Sequence, residues 1–402
     1  MSGAPSLAVQ PWLTDAATVR VMDALDAAGG PDGARFVGGC IRNSLVGRPV
    51  DDIDIATRLK PEATMAALKT AGIKAVPTGL AHGTVTAVAD RRPFEITTLR
   101  RDVETDGRRA TVAFTDDWGE DARRRDFRLN ALYADRAGRV FDPTGGGLDD
   151  ALAGRVVFVG DPHQRIEEDH LRILRFFRFF AWYGRAEPDA QGLAACAAHA
   201  DSLSRLSAER VSKELLKLLA APDPRASVAA MRSAGVLDRI VPAVTQLALF
   251  QALVALSDDP VLRLSTLLAV DPAQAARVAA ELRLPRATEY RLAAAAEGPL
   301  DPQSPPSTLR ALVYRLGAEA VRDRLLLGQA STGVTAGTAL ALVSDWTPPR
   351  MPVGGREVAR LGVPPGPETG RILKAFEDEW VAADFPDHGH AERLTRLAGP
   401  AP

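Results

Sequence analysis

The first third of the chain alternates apolar and polar positions with two different periods. Residues 11 to 29 repeat apolar side chains at helical spacing, and the glycines of GGPDG then end the helix. The stretch KPEATMAALKTAGI has the same period, whereas VDDIDIAT, GTVTAVAD and RPFEITTLR alternate with the period of a strand. The glycine- and arginine-rich stretch after Arg100 predicts a mobile loop. This region is therefore predicted to be mixed α/β.

The pattern changes near Asp149. From there onward the chain reads as amphipathic helices rich in Ala, Leu and Arg, with few β-branched alternations. Proline and glycine interrupt the helices near 221–224, 298–307 and 346–355, which predicts sharp turns or linkers. The predicted fold class is α+β, with a mixed sheet and helices first and an all-helical part after it.

Composition indicates an ordinary globular protein. Hydrophobic residues make up 46% of the 402 residues and charged residues 25%, and no stretch approaches the roughly 20 apolar residues of a membrane span. The N-terminus does not resemble a secretory signal, so we expect a cytoplasmic protein without membrane association. The two cysteines, Cys40 and Cys196, lie far apart, and packed thiols are expected rather than a disulfide or zinc site.

Arginine is unevenly distributed although the net charge is only −2. Positive charge concentrates in the first half, in RRPFEITTLRRD, GRRATVAF, ARRRDFR and the run from Arg165 to Arg185. Such clusters can bind a polyanion without a high overall pI. The alternative interpretation of any single cluster is a solvated helix face.

Two aspartates in the strand-like segment VDDIDIAT predict a metal site. Side chains two apart in a strand share a face, so Asp52 and Asp54 project together while Ile53 and Ile55 point into the core, and Asp51 is out of phase. Paired carboxylates suit Mg²⁺, which also bridges to substrate phosphates. By itself such a pair can also be an exposed strand end.

The residues before this pair suggest what the metal would act on. Gly38 and Gly39 form a turn whose backbone N–H groups can approach phosphate, and Arg42 follows one helical turn later. Together with the carboxylates, this arrangement has a triphosphate end and a metal end, as phosphoryl transfer requires. For a third carboxylate, Glu95 fits a neighbouring strand. Asp90 is the competing candidate, and a plain ion pair of Glu95 with Arg100 is the structural alternative.

Five motifs in order resemble those of class II tRNA nucleotidyltransferases and bacterial poly(A) polymerases, within the DNA polymerase β-like superfamily. They are GGCIRNSLVGRPVDDIDIAT, RRRDFRLNAL, FDPTGGGLDDA, EEDHLRILRFFRF and SAERVSKELLKLL. The resemblance covers most of the chain and implies a polymerase-β-like catalytic head (1–148), then a helical neck (149–222) that recognises the base, a body (223–300) and a tRNA-binding tail (301–402).

The resemblance also implies residue roles. Gly39 and Arg42 would contact the triphosphate, and Asp52 and Asp54 would hold the metal ions. The second motif implies a nucleotide contact, a ribose contact and a supporting residue, which are in turn Arg125, Asp126 and Asn130. Two positions depart from the family: Asn43 stands where Asp is usual, and Arg128 where Thr is usual. We expect both to adjust neighbouring contacts, and Arg128 to alter RNA contact.

The fourth motif points to nucleotide selection. Asp169, Arg172, Arg175 and Arg178 recur at spacing three, so on one helix they would be neighbours. Cytosine and adenine both present an amine donor beside a ring-nitrogen acceptor, which an acceptor carboxylate and a donor guanidinium can satisfy together, whereas uracil and guanine cannot be satisfied. The resemblance gives Asp169 and Arg172 this role, with Arg175 and Arg178 assisting.

The predicted activity is addition of C, C and A from CTP and ATP to a tRNA 3′ end, with Mg²⁺ as cofactor. The segment VPTGLAHGTVTAVADRRPFEITTLR resembles the CCA-adding branch more than the poly(A) branch, and a DGRR element between Arg100 and Thr115 resembles the flexible loop of enzymes that complete the A step. The tail would grip the tRNA elbow. Poly(A) polymerase, CC-only or A-only addition, and a non-catalytic RNA-binding protein remain alternatives.

Overall fold

The computed structural model describes residues 6–7, 9–105, 110–241, 247–268 and 271–399. The chain divides into two compact units, Met1–Pro242 and Ala243–Pro402. Within the described residues, no helix is both long enough and apolar enough to span a bilayer. The mixed sheet lies in the first unit, and the second unit is helical.

The strands and their order confirm a mixed sheet. In the described residues the strands are β1 (Ala34–Val37), β2 (Asp54–Thr57), β3 (Lys74–Gly79), β4 (Thr84–Ala89), β5 (Arg92–Thr98), β6 (Arg100–Thr105), β7 (Ala110–Phe114), β8 (Tyr133–Ala134) and β9 (Val140–Phe141). Seven of them form one sheet in the order β3-β4-β5-β2-β1-β8-β9, in which only β2 and β5 run parallel. The parallel pair is therefore near the centre of the sheet.

The stretch after Arg100, predicted as a loop, is instead largely a hairpin. Strands β6 and β7 pair antiparallel from Arg100 opposite Phe114 to Thr105 opposite Ala110. The residues ATVAF include two β-branched side chains and one aromatic side chain, which favours a strand, and the prediction gave the glycine and arginines too much weight. The DGRR element lies outside the described residues.

In the first unit, helices occur both between the strands and in the part of the chain that follows the sheet. They are α1 (Pro11–Thr14), α2 (Ala16–Gly29), α3 (Gly39–Leu45), α4 (Pro61–Thr70), α5 (Trp118–Arg123), α6 (Gly147–Ala153), α7 (Pro162–Glu168), α8 (Leu171–Tyr183), α9 (Ala190–Ala198), α10 (Ala208–Leu219), α11 (Arg225–Ser233) and α12 (Leu237–Ile240). Short 3₁₀ turns lie at Leu80–His82, Arg128–Asn130 and Ala200–Arg205.

One predicted helix is split. The segment 11 to 29 breaks at Asp15, whose side chain accepts hydrogen bonds from the N–H groups of Ala17 and Thr18 and so caps α2. Aspartate is a favoured N-cap because its carboxylate satisfies amides that have no intrahelical partner. The apolar period continues across this break, so it could not reveal the boundary.

The second unit consists of helices in its described part. They are α13 (Ala248–Val254), α14 (Pro260–Leu267), α15 (Pro272–Glu281), α16 (Arg286–Ala296), α17 (Pro306–Leu316), α18 (Ala318–Thr332), α19 (Gly337–Asp345), α20 (Gly355–Arg360), α21 (Pro367–Ala382) and α22 (His390–Ala398). The three predicted interruptions coincide with the breaks after α10, α16 and α19, although the last residues of the second and third already belong to the next helix. Proline and glycine therefore located the turns correctly.

The core of the first unit joins the sheet to the chain that follows it. Val37 and Ala56 of the central strands pack in one buried cluster with Trp118 of α5, Tyr133 of β8 and Val159. Alternate residues of β4 are buried, as its period-two pattern predicted. This packing fixes β1 and β2 against the segment after α5. The predicted site residue Gly38 directly follows β1, and Asp54 begins β2.

Candidate active site

The aspartate pair lies at the start of β2. Asp54 is the first residue of the strand, and Ile53 and Ile55 on either side are 3% and 0% exposed, so the predicted alternation is present. Asp52, however, precedes the strand and is exposed. The strand was predicted to begin earlier. It begins at Asp54 because its neighbour β1 ends at Val37 and cannot pair with the residues before Asp54.

Glu95 lies directly opposite Asp54. The two are Cα partners in the parallel register of β2 and β5, and side chains at paired positions lie on the same face of a sheet. Asp90, the competing candidate, lies in the turn before β5 with a φ of +50° and pairs with Arg20 at 3.0 Å. The structure thus brings Glu95, and not Asp90, beside the aspartate pair.

The carboxylates repel one another. Burial raises the pKa of Asp54, the negative charges of Glu95 and Asp52 raise it further, and the guanidinium groups of Arg125 and Arg42 offset part of the effect, which leaves the pKa at about 6. A cation between the carboxylates would remove this repulsion.

The carboxylate oxygens suit a hard cation. Among the described residues, no group of three His, Cys, Asp or Glu side chains is close enough to hold a metal by itself. Mg²⁺ does not require such a cage, since it usually binds one or two carboxylates together with water and substrate phosphates. Asp52 and Asp54 therefore fit a metal whose remaining ligands come from the substrate.

A buried thiol lies next to this pair. Cys40 is 1% exposed and its Sγ donates to the carbonyl of Val37 at 3.6 Å. Burial, reinforced by the charge of Asp54, raises the pKa of the Cys40 thiol to about 12. Cys196 is also free and buried. Both cysteines are packed thiols, as predicted.

The double-glycine turn is formed as the sequence suggested. Gly38 has a φ of +72°, which strongly favours glycine, and α3 begins at Gly39. A Cβ atom on Gly38 would lie 3.8 Å from Nη1 of Arg125, and one on Gly39 would lie 3.8 Å from Nη2 of Arg42. Two guanidinium groups therefore come close to backbone amides at the start of a helix.

Arg42 is buried and held from several sides. Its Nη1 donates to Oδ1 of Asn130, and its Nη2 donates to the hydroxyl of Tyr183 at 2.8 Å and to Oδ1 of Asn43 at 3.0 Å. Its buried Nε has no hydrogen-bond partner among the described residues. Burial lowers the pKa of Arg42, although Tyr183 opposes this. Tyr183 was not identified from the sequence.

Asn43, a departure from the family pattern, ties this helix to the loop before the aspartates. Its Oδ1 accepts from Arg42 and from the hydroxyl of Tyr183, each at 3.0 Å, and its Nδ2 donates to the carbonyl of Pro49 at 2.8 Å. Only the amide can donate to Pro49, because an ionised aspartate has no donor. That the departure from aspartate adjusts neighbouring contacts stays a prediction.

A second network surrounds Asp126. Its Oδ2 accepts from Nε of Arg175 at 2.7 Å and from Nη2 of the same group, and its Oδ1 accepts from Nδ2 of Asn130 at 3.1 Å. Burial by itself would raise the pKa of Asp126, but Arg175 and Asn130 more than offset it and hold the pKa at about 2. Asn130 therefore links Arg42 on one side to Asp126 on the other.

Arg125 lies beside this network. Its Nη2 donates to Asp121 at 3.1 Å and its Nε to the hydroxyl of Tyr133 at 3.2 Å. Burial would raise the pKa of Asp121, but Arg125 and Arg124 hold it well below its usual range. Asp121 was missed in the sequence. The signal that could have found it is an acidic residue four positions before Arg125, the spacing of neighbours on a helix.

The residues predicted to read the base are arranged differently from the prediction. Asp169 does not share a helix with the arginines: its backbone is extended with a φ of −152°, and α8 begins at Leu171. The carboxylate of Asp169 accepts from the Leu171 N–H at 3.1 Å, so the chain turns here instead of continuing one helix. The constant spacing across Asp169, Arg172 and Arg175 concealed this break between α7 and α8.

Asp169 and the arginines of α8 form hydrogen bonds with side chains outside the predicted set. Arg210 donates to Asp169, Glu168 accepts from Nη1 of Arg172 at 2.6 Å, and Glu214 accepts from Nε of Arg178 at 2.5 Å. Nη2 of Arg172 also donates to the carbonyl of Arg124 at 3.0 Å. Arg210 and Glu214 belong to the fifth motif and were not identified, although their spacing of four placed them on one face of α10.

Comparison with known proteins agrees with this geometry. Residues 34–157 match the family described as "Poly A polymerase head domain", and residues 187–247 match "Probable RNA and SrmB- binding site of polymerase A". The mitochondrial CCA tRNA nucleotidyltransferase 1 of Mus musculus is 32% identical over 384 residues, which cover 87% of this chain and 83% of the relative. The chain belongs to the CCA tRNA nucleotidyltransferase family.

Solved structures support membership of the family. The CCA-adding enzyme of Bacillus stearothermophilus, solved in complex with CTP, is 26% identical, with a TM-score of 0.76 and coverage of 94% of this chain and 96% of that one. The Thermotoga maritima CCA-adding enzyme, solved with tRNA, has a TM-score of 0.66 over 96% of both chains at 18% identity, which shows the shared fold. The expected α+β fold class, with a catalytic head followed by helices, is confirmed. The expected enzyme class, a nucleotidyltransferase, is also confirmed.

Proposed function

We propose that this protein adds C, C and A in turn to the 3′ end of tRNA, using CTP and ATP and releasing pyrophosphate. The observation that carries the proposal is the connected set of contacts from Arg42 through Asn130 and Asp126 to Arg175. It extends from the glycine turn, suited to a triphosphate, to the helix that carries the predicted base-reading arginines. A single nucleotide could be held along this line.

The metal site would lie at the triphosphate end. Reactions in this family depend on a metal, and we propose Mg²⁺ held by Asp52 and Asp54. The ion would stabilise charge on the transferred phosphate and lower the pKa of the attacking 3′-hydroxyl. Glu95, opposite Asp54, would add negative charge that holds the cation in place.

The other predicted residues would bind the nucleotide. Gly38 and Gly39 would let backbone amides approach the triphosphate. Arg42 would contact the triphosphate through the guanidinium N–H groups that donate to neighbouring side chains in this structure. Arg125 would contact the nucleotide, and Asp126, fixed by Asn130 and Arg175, would accept from the ribose hydroxyl. Each role is one that its charge and position permit.

Base choice would come from Asp169 and Arg172. Asp169 has acceptor capacity beyond its contacts with Arg210 and Leu171, and Glu168 holds the Arg172 guanidinium in one orientation. Cytosine and adenine would satisfy both residues, whereas uracil and guanine would leave like groups facing each other. Arg175 and Arg178 would support this end of the site.

The helical remainder would bind tRNA. We keep the proposed division into head (1–148), neck (149–222), body (223–300) and tail (301–402), with the tail on the elbow and the head on the acceptor end. A cytoplasmic location also stays a prediction, since the mouse relative is named as mitochondrial.

The deciding experiment is incubation with a tRNA transcript that ends at the discriminator base, with Mg²⁺ and with CTP and ATP singly and together, followed by sequencing of the 3′ ends. Products that end in CCA are expected. Long A tracts would identify a poly(A) polymerase, and products that stop at CC or gain only A would identify the partial activities. Binding of tRNA without incorporation under varied metal and salt would favour a non-catalytic RNA-binding protein.

A further inference from the structure

A cavity of about 500 Å³ with a basic lining lies in the first unit, apart from the carboxylate pair. We call it the arginine cavity and define it by Arg123, Arg128, Thr144, Asp161, Gln164 and Arg165. It lies between the end of α5, the 3₁₀ turn at Arg128–Asn130 and the start of α7. Of these six residues, only Arg128 has a role assigned above, namely the expected change in RNA contact.

Two of the three guanidinium groups are only weakly paired. The nearest carboxylate to Arg128 is Asp150 at 3.8 Å, and the nearest to Arg123 is Asp117, also at 3.8 Å. Both distances exceed that of a hydrogen bond. Their side chains are 37% and 62% exposed. They can therefore turn N–H donors toward an anion without giving up a strong ion pair.

The other lining groups do not cancel this charge. Arg165 is fixed, because it donates to the carbonyl of Arg123 at 2.9 Å and pairs with Glu168. Asp161 is the acidic member of the lining, and its Oδ1 accepts from the Gln164 N–H at 3.0 Å at the start of α7. The described lining includes no aromatic side chain on which a base could stack. The chemistry favours phosphate over a nucleobase.

A second, smaller cavity of about 290 Å³ continues the arginine cavity toward the base-reading end. It shares Arg123, Gln164 and Arg165 with the first, and adds Arg101, Glu120, Arg124 and Glu168. Glu168 is the carboxylate that holds Arg172. The two cavities therefore form a basic path that leads from Arg128 to the neighbourhood of Arg172.

We propose that the arginine cavity binds the phosphodiester backbone of the RNA substrate, with Arg123 and Arg128 as the phosphate contacts. This rests on the proposed function, because it identifies where RNA approaches the same site. Arg128 also lies against the Gly146 turn, where a Cβ atom would lie 3.0 Å from its Nη1.

The test measures RNA binding separately from catalysis. The dissociation constant of a tRNA transcript lacking its 3′ CCA is measured without nucleotide between about 50 and 200 mM salt, for wild type, Arg128→Thr, Arg123→Ala and the double variant. Arg20→Ala is the matched control, since Arg20 is an exposed arginine of the same unit that lies outside the cavity. Each cavity variant should bind RNA roughly threefold more weakly and reduce the salt slope by about 0.7.

Steady-state assays then separate RNA from free nucleotide. KM for tRNA should rise in both single variants, Arg128→Thr and Arg123→Ala, while KM for CTP and kcat stay at the wild-type values. A rise in KM for CTP instead, or competition by inorganic phosphate without any change in RNA affinity, would assign the cavity to a free phosphate or nucleotide and overturn the proposal. Unchanged RNA affinity and salt slope would also overturn it.

Two features keep the outcome interpretable. Because Arg128 packs at a turn, Arg123→Ala provides a second variant at a more exposed position, and Arg128→Lys tests whether charge alone restores binding. Failure of the proposed function would appear as a wild-type protein that binds tRNA without extending it. Failure of this inference would appear as variants that extend tRNA and bind it like the wild type.

Discussion

The carboxylate of Asp169 accepts two hydrogen bonds from a single nitrogen of Arg210, at 2.9 and 3.1 Å. This pair joins the turn before α8 to α10. Arg210→Ala should free the carboxylate to move and so weaken nucleotide choice. We expect the ratio of kcat/KM for CTP to that for UTP to fall about tenfold, with a smaller loss of kcat.

Asp169→Ala is the comparison variant for the loss of nucleotide choice expected in Arg210→Ala. It removes the acceptor itself, so UTP and GTP should be incorporated more readily than in Arg210→Ala. The measurement is kcat/KM for all four nucleotides on one tRNA primer. If UTP and GTP remain excluded in Asp169→Ala, the donor and acceptor argument for base choice is wrong.

Asp54→Ala should abolish nucleotide addition and leave tRNA binding intact, because the side chain serves the metal and not the RNA. We expect a loss in kcat of at least about 10³-fold. Asp51→Ala is the matched control, since Asp51 is exposed and out of phase with the pair. Removal of divalent metal with a chelator should stop the wild type, and added Mg²⁺ should restore it. A near-wild-type rate in Asp54→Ala would remove Asp54 from the metal site.

Asn130→Ala should lower both stability and activity. The change leaves buried Nη1 of Arg42 without its acceptor and removes a donor from Asp126. An unsatisfied buried group costs about 1 to 3 kcal/mol, measurable as the free energy of unfolding in urea. Asn43→Ala should cost less, because Arg42 then keeps Tyr183 and Asn130. Equal losses in the two variants would contradict a bridging role for Asn130.

The ion pair of Asp126 predicts a pH dependence of stability. Its pKa is about 2 in the folded protein against an ordinary 3.8. Since the folded pKa is the lower one, the stabilisation is fully present above pH 3.8 and is lost as pH falls toward 2. It amounts to about 2 kcal/mol, of which about 1 kcal/mol is lost at pH 3.

Comparison of wild type with Asp126→Asn isolates this contribution. The difference in free energy of unfolding between the two proteins should shrink by about 1 kcal/mol between roughly pH 5 and pH 3. Asparagine cannot ionise, so the free energy of unfolding of the variant should vary less with pH in this range. A difference that is constant with pH would mean that the carboxylate is not stabilised in the folded protein.

Local patterns predicted much of the fold. Period-two alternation located β4 and β5, and the burial of Ile53 and Ile55 follows the same rule. Alternation could not reveal where β2 begins, because that depends on β1, which leaves the sheet at Gly38. The hairpin of β6 and β7 was missed because its antiparallel pairing joins two strands across a segment whose glycine and arginines are typical of a loop.

The site was predicted in part. Charge type and spacing selected Asp54 and Glu95, and the register of β2 and β5 brought them together. The partners Arg210 and Glu214 were missed because they meet Asp169 and Arg178 from another helix, 41 and 36 residues away in sequence. Such long-range pairing has no local signature, so sequence spacing alone suggested only that Asp169 and Arg172 would be neighbours on one helix.

The thiol of Cys40 offers a chemical probe of the proposed metal site. A protonated, buried sulfur beside Asp54 reacts with a thiol reagent only when the surrounding backbone opens, so its labelling rate reports how often this part of the head unfolds locally. Cys196, buried in α9 of the same unit, serves as the internal reference. Nucleotide or metal that binds at this site should slow the labelling of Cys40 but not of Cys196. The measurement would detect such binding without following any product.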